Sequence, residues 1–245
     1  MAEVNTFSIA GRCPRTGMLG VAVATAVPAV GSLCPYVQAG VGAVSTQSWV
    51  NPYLAVEALR LTEAGASAPE ALEGALAGDD ARHLRQVGVV DAQGRGVAWT
   101  GEACTGWAGH RPGLDYTIQG NMLIGEATLT AMQEAFIRSE AFHLDERLLL
   151  ALEAGQAAGG DKRGKQSAAL LVHDTEAYPW LDLRVDEHRH PVPELRRIHA
   201  IARLQLRPFI AGMPRRGEPP RGLPEEVSSM LLTPPPYRPG GGGSA

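Results

Sequence analysis

Apolar and polar positions along the chain fall into short runs of period two separated by longer runs of period 3.6. Phe7–Arg12 and Met18–Thr25 are rich in β-formers and are joined by Cys13-Pro-Arg-Thr-Gly17, so they predict an opening hairpin. Tyr36–Gln47 predicts a third strand, whose Gly40 and Gly42 imply close backbone approach. Asn51-Pro52 then starts a helix, because Asn caps a helix well and Pro is favoured at its first position. Leu54, Ala58, Leu61 and Ala64 keep the helical period as far as Gly65. A second helix is expected over Ala68–Ala77, opened by Ser67 with Glu70 three residues on, a capping box. Gln86–Asp91 and Gly96–Thr100 predict another hairpin, and Tyr116–Ile124 a buried strand. Helices over Ala127–Ser139 and Leu144–Ala158 follow, then strands over Ser167–His173 and Leu181–Asp186, and a last helix from about Val192 to Leu206.

Hairpins in clusters, separated by helix pairs, do not give the strict βαβ alternation of a doubly wound parallel sheet. The order predicts an α+β fold with two mostly antiparallel sheets packed face to face and helices outside them, a four-layer α-β-β-α sandwich. Residues 1–207 are expected to form one domain. From Pro208 to Ala245 proline, glycine and arginine dominate, a poor core-former that reads as a flexible tail.

Composition narrows the partners. A net charge of −4 and a pI near 6.0 argue against nucleic acid or an anionic membrane as a partner. No uncharged apolar run reaches the length of a membrane span, and the N-terminus lacks the pattern of a secretory signal. Cys13, Cys34 and Cys104 are odd in number and make no C-x-x-C pair, which reads as reduced thiols in a cytoplasmic protein. No cofactor motif is present, and a homo-oligomer is the assembly left open.

Candidate chemistry begins with the basic residues. Lys162 and Lys165 are the only lysines among 22 basic residues, and both lie in Gly159-Gly-Asp-Lys-Arg-Gly-Lys-Gln-Ser167. A lysine is a compact point charge, unlike the flat guanidinium fork, so this loop is a candidate anchor for a substrate carboxylate; two solvated loop lysines are the plain alternative. The spacing imitates a phosphate-binding P-loop, but Gln166 stands where the Mg²⁺-binding Ser or Thr belongs, and the loop follows a helix and precedes a strand. His188-x-His190, with Asp182, Asp186 and His173 near, matches no strong zinc pattern and reads better as solvated histidines. Cys104 with His110 is a candidate nucleophile and base, against the commoner inert cysteine. Thr6 opens the first strand near the chain terminus, where an N-terminal-nucleophile hydrolase carries a threonine whose freed α-amine serves as its own base. Met1 to Asn5 precede it, so that chemistry requires cleavage before Thr6.

Taken together, Thr6-Phe-Ser-Ile-Ala-Gly-Arg12, Thr16-Gly-Met-Leu-Gly-Val-Ala-Val23, Ala39-Gly-Val-Gly-Ala-Val-Ser-Thr-Gln47, Gln86-Val-Gly-Val-Val-Asp91, Cys104-Thr-Gly-Trp-Ala-Gly-His110, Gln119-Gly-Asn-Met-Leu123 and the lysine loop resemble a bacterial family known only as domain of unknown function 1028, grouped with Ntn-hydrolase-like proteins. The resemblance covers roughly residues 5 to 200. It implies the α-β-β-α sandwich and membership of a superfamily of amide hydrolases, with no settled substrate. By position it puts Thr6 in the nucleophile slot, and Gln47, Asn121 and Asp161 among the catalytic groups. Thr46, His110, Gln119 and Lys162 become the substrate-binding set. Asn and Gln side chains are suitable donors to a developing oxyanion. The expected function is hydrolysis of a small non-peptide C–N bond (amide, ureido or lactam) in amino-acid or pyrimidine-type catabolism, with a small, anionic substrate. The alternative is a catalytically inactive protein of the same fold that binds a small molecule or serves as a scaffold.

Overall fold

The computed structural model describes residues 6–159, 164–219, 222 and 224–232. β1 (Thr6–Arg12) and β2 (Leu19–Thr25) make the opening hairpin, and β3 (Pro35–Gln38) and β4 (Gly42–Ser48) a second. Helices α1 (Pro52–Glu63) and α2 (Ala68–Ala77) follow, then strands β5 (Arg85–Asp91), β6 (Gly96–Thr100), β7 (Trp107–Gly113) and β8 (Tyr116–Leu123). Helices α3 (Ala127–Arg138) and α4 (Leu144–Ala157) lead to β9 (Ser167–His173), β10 (Leu181–Val185), α5 (Pro191–Ala211) and α6 (Glu225–Leu232). The chain divides into two units, the first closing at Ile198 and the second opening at His199. α6 lies within the second, in the stretch where the composition predicts only a flexible tail. α5 runs five residues beyond the expected Leu206, to Ala211, with Pro208 inside it.

All strand pairs are antiparallel. One sheet has six strands in the order β10-β9-β2-β1-β8-β7, and the other has four in the order β3-β4-β5-β6. Period two fixes which side chains face where. On β1, Phe7 and the Gly11 backbone turn toward α3 and α4, where they meet Gly155 and the side chains of Phe136 and Leu148. Ser8 and Ala10 turn the other way, to Ser45 and Gln47 on β4 and to Ala43 and Val90. On the four-stranded sheet, Val44, Val87 and Val89 pack instead against Leu54, Ala58, Leu72 and Leu76 of α1 and α2. Each fully buried Leu, Val or Phe in these layers contributes about 1.5–3 kcal/mol over its exposed state.

Two local expectations need correction. The segment read as one strand, Tyr36–Gln47, is a hairpin. Gly40 is its turn, at φ 70 with open space around it, and Val41 N donates to Gln38 O at 3.1 Å. Gly42 does serve close approach, since a Cβ there would lie 2.9 Å from Val90 O. The second correction is β7, which the periodicity does not announce. Its Ala-Gly-His-Arg-Pro-Gly carries no alternation, and it survives as a strand because it is an edge, where Pro112 need not donate to a ladder. Both predicted helix starts stand: Asn51 accepts from Tyr53 N, and Ser67 with Glu70 forms the full capping box. No helix among the described residues is long and apolar enough to cross a membrane.

Candidate functional site

Between the two sheets lies a stripe of polar side chains inside an otherwise apolar interior. Thr6 and Ser8 come from β1, Thr25 from β2, Ser45 and Gln47 from β4, Gln86 from β5, and Thr117, Gln119 and Asn121 from β8; all are buried. Their spacing of two on each strand puts them on one face. Burial of this many polar groups is tolerable only because they satisfy one another.

Ser8 is the hub. Its hydroxyl donates to Gln47 Oε1 at 2.6 Å and accepts from Gln119 Nε2 at 2.7 Å and Ser45 Oγ at 2.9 Å. Gln119 Oε1 accepts in turn from Thr117 Oγ1 at 3.2 Å. Gln47 Nε2 donates to Gln86 Oε1 at 2.7 Å and lies 3.4 Å from the carbonyl of Thr6. Gln86 Oε1 also accepts from Asn121 Nδ2 at 3.0 Å. Gln86 Nε2 reaches Gly120 O at 2.9 Å, Gly109 O at 3.1 Å and Thr100 Oγ1 at 2.9 Å. A glycine makes room for this: any Cβ at Gly88 would collide with the amide of Gln119.

Thr6 stands at one end of the stripe. Its cross-strand partners are Thr25 on β2 and Asn121 on β8. Directly opposed residues hold their Cβ atoms about 4.5–5.5 Å apart, so both neighbours flank the Thr6 side chain. Thr6 Oγ1 donates to Thr25 Oγ1 at 3.2 Å. Ser167 continues the row beyond Thr25, its hydroxyl bound to Val27 O at 2.5 Å and accepting from Val30 N at 3.1 Å.

The structure therefore brings Thr6, Gln47, Gln119 and Asn121 together in one connected network. Thr46 faces away from it, as the neighbour of Gln47 on a strand must, and its hydroxyl donates to Asn51 O at 3.2 Å at the head of α1. His110 joins at the rim, where Nδ1 lies 2.8 Å from Thr100 Oγ1. Partial desolvation lowers the His110 pKa, so the ring is neutral near pH 7. Asp161 and Lys162 lie outside the described residues.

Cys104 stands apart. Its thiol faces the carbonyl of Arg85 at 3.4 Å, and burial pushes its pKa up, the reverse of what a cysteine nucleophile needs. His110 bonds to Thr100 rather than to this thiol. His188 and His190 have ring centres 6.3 Å apart, and His188 Nδ1 accepts from the His190 backbone at 3.0 Å. Asp186 is paired with Arg184 at 3.0 Å.

Residue-by-residue reading missed Ser8, Ser45, Thr25, Gln86, Thr100 and Thr117. The signal was present as polar residues two apart within apolar strands, as in Thr6-x-Ser8, Ser45-x-Gln47 and Thr117-x-Gln119-x-Asn121.

Residues 6–195 match the family of unknown function designated DUF1028. The crystal structure of protein SPO2555 from Silicibacter pomeroyi, of the same family, aligns with a TM-score of 0.83 at 29% identity, covering 90% of this chain and 96% of that one. Anbu, the ancestral β-subunit from Yersinia bercovieri, aligns over 86% of this chain and 100% of that one at 15% identity. Its TM-score is 0.38, too low to carry an argument. None of the curated proteins matches the chain.

Proposed function

The chain belongs to the DUF1028 family of unknown function, and we propose that it is an amidohydrolase with Thr6 as nucleophile, acting on a small non-peptide C–N bond within an α-β-β-α sandwich of the Ntn-hydrolase type. The observation that carries this reading is the position of Thr6: it opens an interior strand, its hydroxyl is bonded to Thr25, and an amide donor stands on the opposite flank.

The chemistry starts with hydrolysis of the Asn5–Thr6 peptide bond, which frees the α-amine. An α-amine titrates near pH 7.7–8.0, so a useful fraction is an unprotonated base at about neutral pH. It accepts the Thr6 hydroxyl proton as Oγ1 attacks the substrate carbonyl. The C–O bond forms, the C–N bond breaks, and the proton passes to the leaving nitrogen. Water then cleaves the ester, returning the threonine and releasing the acid. Asn121 Nδ2 spends one hydrogen on Gln86 Oε1, and its second is the donor assigned here to the oxyanion. Gln47 acts as a positioning residue, since its Nε2 reaches the Thr6 carbonyl and Gln86 together. Lys162 is assigned the substrate anion.

Two measurements test this. The intact mass of the purified protein is expected to correspond to a chain beginning at Thr6, and Thr6→Ala is expected to abolish turnover of small acylamino, ureido or lactam substrates while leaving the melting temperature within a few degrees. Loss of the Asn121 donor is expected to lower the rate by about 10²–10³. Full activity in Thr6→Ala would remove Thr6 from the mechanism.

A second reading has its own support. Ser8, Gln47, Gln86 and Gln119 are saturated by one another, which is what a structural inter-sheet network requires and leaves few donors for a substrate. A binding or scaffold protein follows from that reading, and an unprocessed chain with no turnover would favour it.

A further inference from the structure

The row Thr6, Thr25, Ser167 ends beside a cavity of about 290 Å³ that no step above uses. Val27, Pro28, Val30 and Cys34 line it from the segment between β2 and β3, and Trp49 and Val50 from the segment between β4 and α1. Among the described residues, no charged side chain lines it. Cys34 is buried deeply enough to push its pKa up to about 12, so the thiol is neutral and behaves as an apolar group. The cavity is about twice the size of an engineered apolar cavity of about 150 Å³ that binds benzene.

The backbone is held in uncommon conformations to shape this space. Four non-glycine residues among those described have positive φ, and two of them border the cavity. Ala29, at φ 55, sits between Pro28 and Val30, with its N–H donated to Asp186 O at 2.8 Å. Ser48, at φ 68, immediately precedes Trp49. Trp49 is pinned on both sides: its N–H donates to Leu84 O at 3.3 Å and its carbonyl accepts from Arg85 Nη1 at 2.7 Å. Left-handed conformations of non-glycine residues persist only where surrounding structure imposes them. Two large apolar side chains that line the cavity, Leu33 and Trp49, are each 45% exposed.

The opening lies close to the nucleophile slot. Val27 is two residues from Thr25, which bonds Thr6, and Trp49 is two residues from Gln47, which reaches the Thr6 carbonyl. We propose that this cavity is the specificity subsite for an uncharged apolar group, aliphatic or small aromatic, on the substrate's amide. The substrate class is thereby an amide with an apolar arm. The binding itself needs only the cavity; its place in catalysis rests on the hydrolase reading above.

Indole is the probe, titrated calorimetrically into the full-length wild type, Thr6→Ala, Val27→Phe and Val50→Phe. Wild type and Thr6→Ala are expected to bind it equally, and each filled variant at least tenfold more weakly with melting temperature held. If a filled variant fails to fold, Leu33→Asp at the half-exposed rim provides the same reading. Indole affinity unchanged in the filled or rim variants, or absent from wild type, would overturn the subsite. With amides of graded acyl length, a rise in KM confined to apolar acyl groups in Val50→Phe supports the catalytic placement, and an equal KM for all acyl groups overturns it. Activity surviving in Thr6→Ala while indole still binds would sink the nucleophile and leave the cavity intact.

Discussion

Gly88 and Gln119 illustrate how a single side chain is accommodated between the sheets. Gln119 lies flat against the Gly88 backbone to reach Ser8, so Gly88→Ala must push the amide off the hydroxyl. Overpacking of this kind costs about 1–3 kcal/mol, and leaving a buried partner unpaired adds about 1–3 kcal/mol. Gly88→Ala is therefore expected to lower the denaturation midpoint markedly. The double variant Gly88→Ala/Gln119→Ala should lose less than the sum of the two single changes, because the second opens the space the first needs. Strict additivity in a thermal or denaturant cycle would contradict the contact. At this scale the sequence was partly legible. Thr6 could be picked out as a hydroxyl opening a strand near the terminus, whereas Gln47, Gln119 and Asn121 entered through the family resemblance. Ser8 and Gln86 could not be ranked, since their importance is a matter of connection: each joins several partners contributed by strands far apart in the chain.

Elements were readable wherever local chemistry governs them. The Ser67–Glu70 box sets the start of α2, and Ser67→Ala is expected to cost about 1 kcal/mol, the usual value of an N-cap, visible as a shifted denaturant midpoint at unchanged slope. Strands β1, β2, β5 and β9 are rich in apolar residues and fall within one residue of the expected spans. β7 was hidden because an edge strand holds its place through one neighbour, β8, and needs no alternation of its own. The β3–β4 turn was hidden for a different reason: a glycine at positive φ and a glycine at a close contact look the same in sequence. Connections between elements depend on tertiary charge. Asp79, beyond α2, accepts from Arg85 Nε at 2.8 Å and from Asn51 Nδ2 at 2.8 Å, which ties the cap of α1 to the start of β5. The same Arg85 holds the Trp49 carbonyl, so this clasp also fixes one wall of the apolar cavity.

Across the whole molecule, titratable groups with shifted pKa values predict how stability varies with pH. The Arg85 hydrogen bond, aided by Asn51 and the Ala81 backbone, holds Asp79 down at about 2 from its ordinary 3.8. Burial alone would raise Asp91, but hydrogen bonds from Ala68 N, Arg95 and Gln93 N outweigh it and leave its pKa lowered. For a depressed carboxylate the unfolded chain binds more protons than the native one, so the stabilisation is present above the unfolded pKa and is lost as pH falls toward the folded one. For Asp79 that window runs from 3.8 down to about 2. His110 and His173 act in the same direction at higher pH, because desolvation lowers both below their ordinary 6.5. The native rings resist protonation that the unfolded chain accepts, so stability also declines as pH drops through and below 6.5. Denaturant unfolding from pH 8 to pH 2 is therefore expected to give a curve that falls in two arms. His173→Gln should flatten the upper arm and leave the lower one. Asp79→Asn should start less stable at pH 7 and then lose less than wild type between 3.8 and about 2. An Asp79→Asn curve that runs parallel to wild type through that window would show that the clasp at Arg85 contributes nothing through its charge.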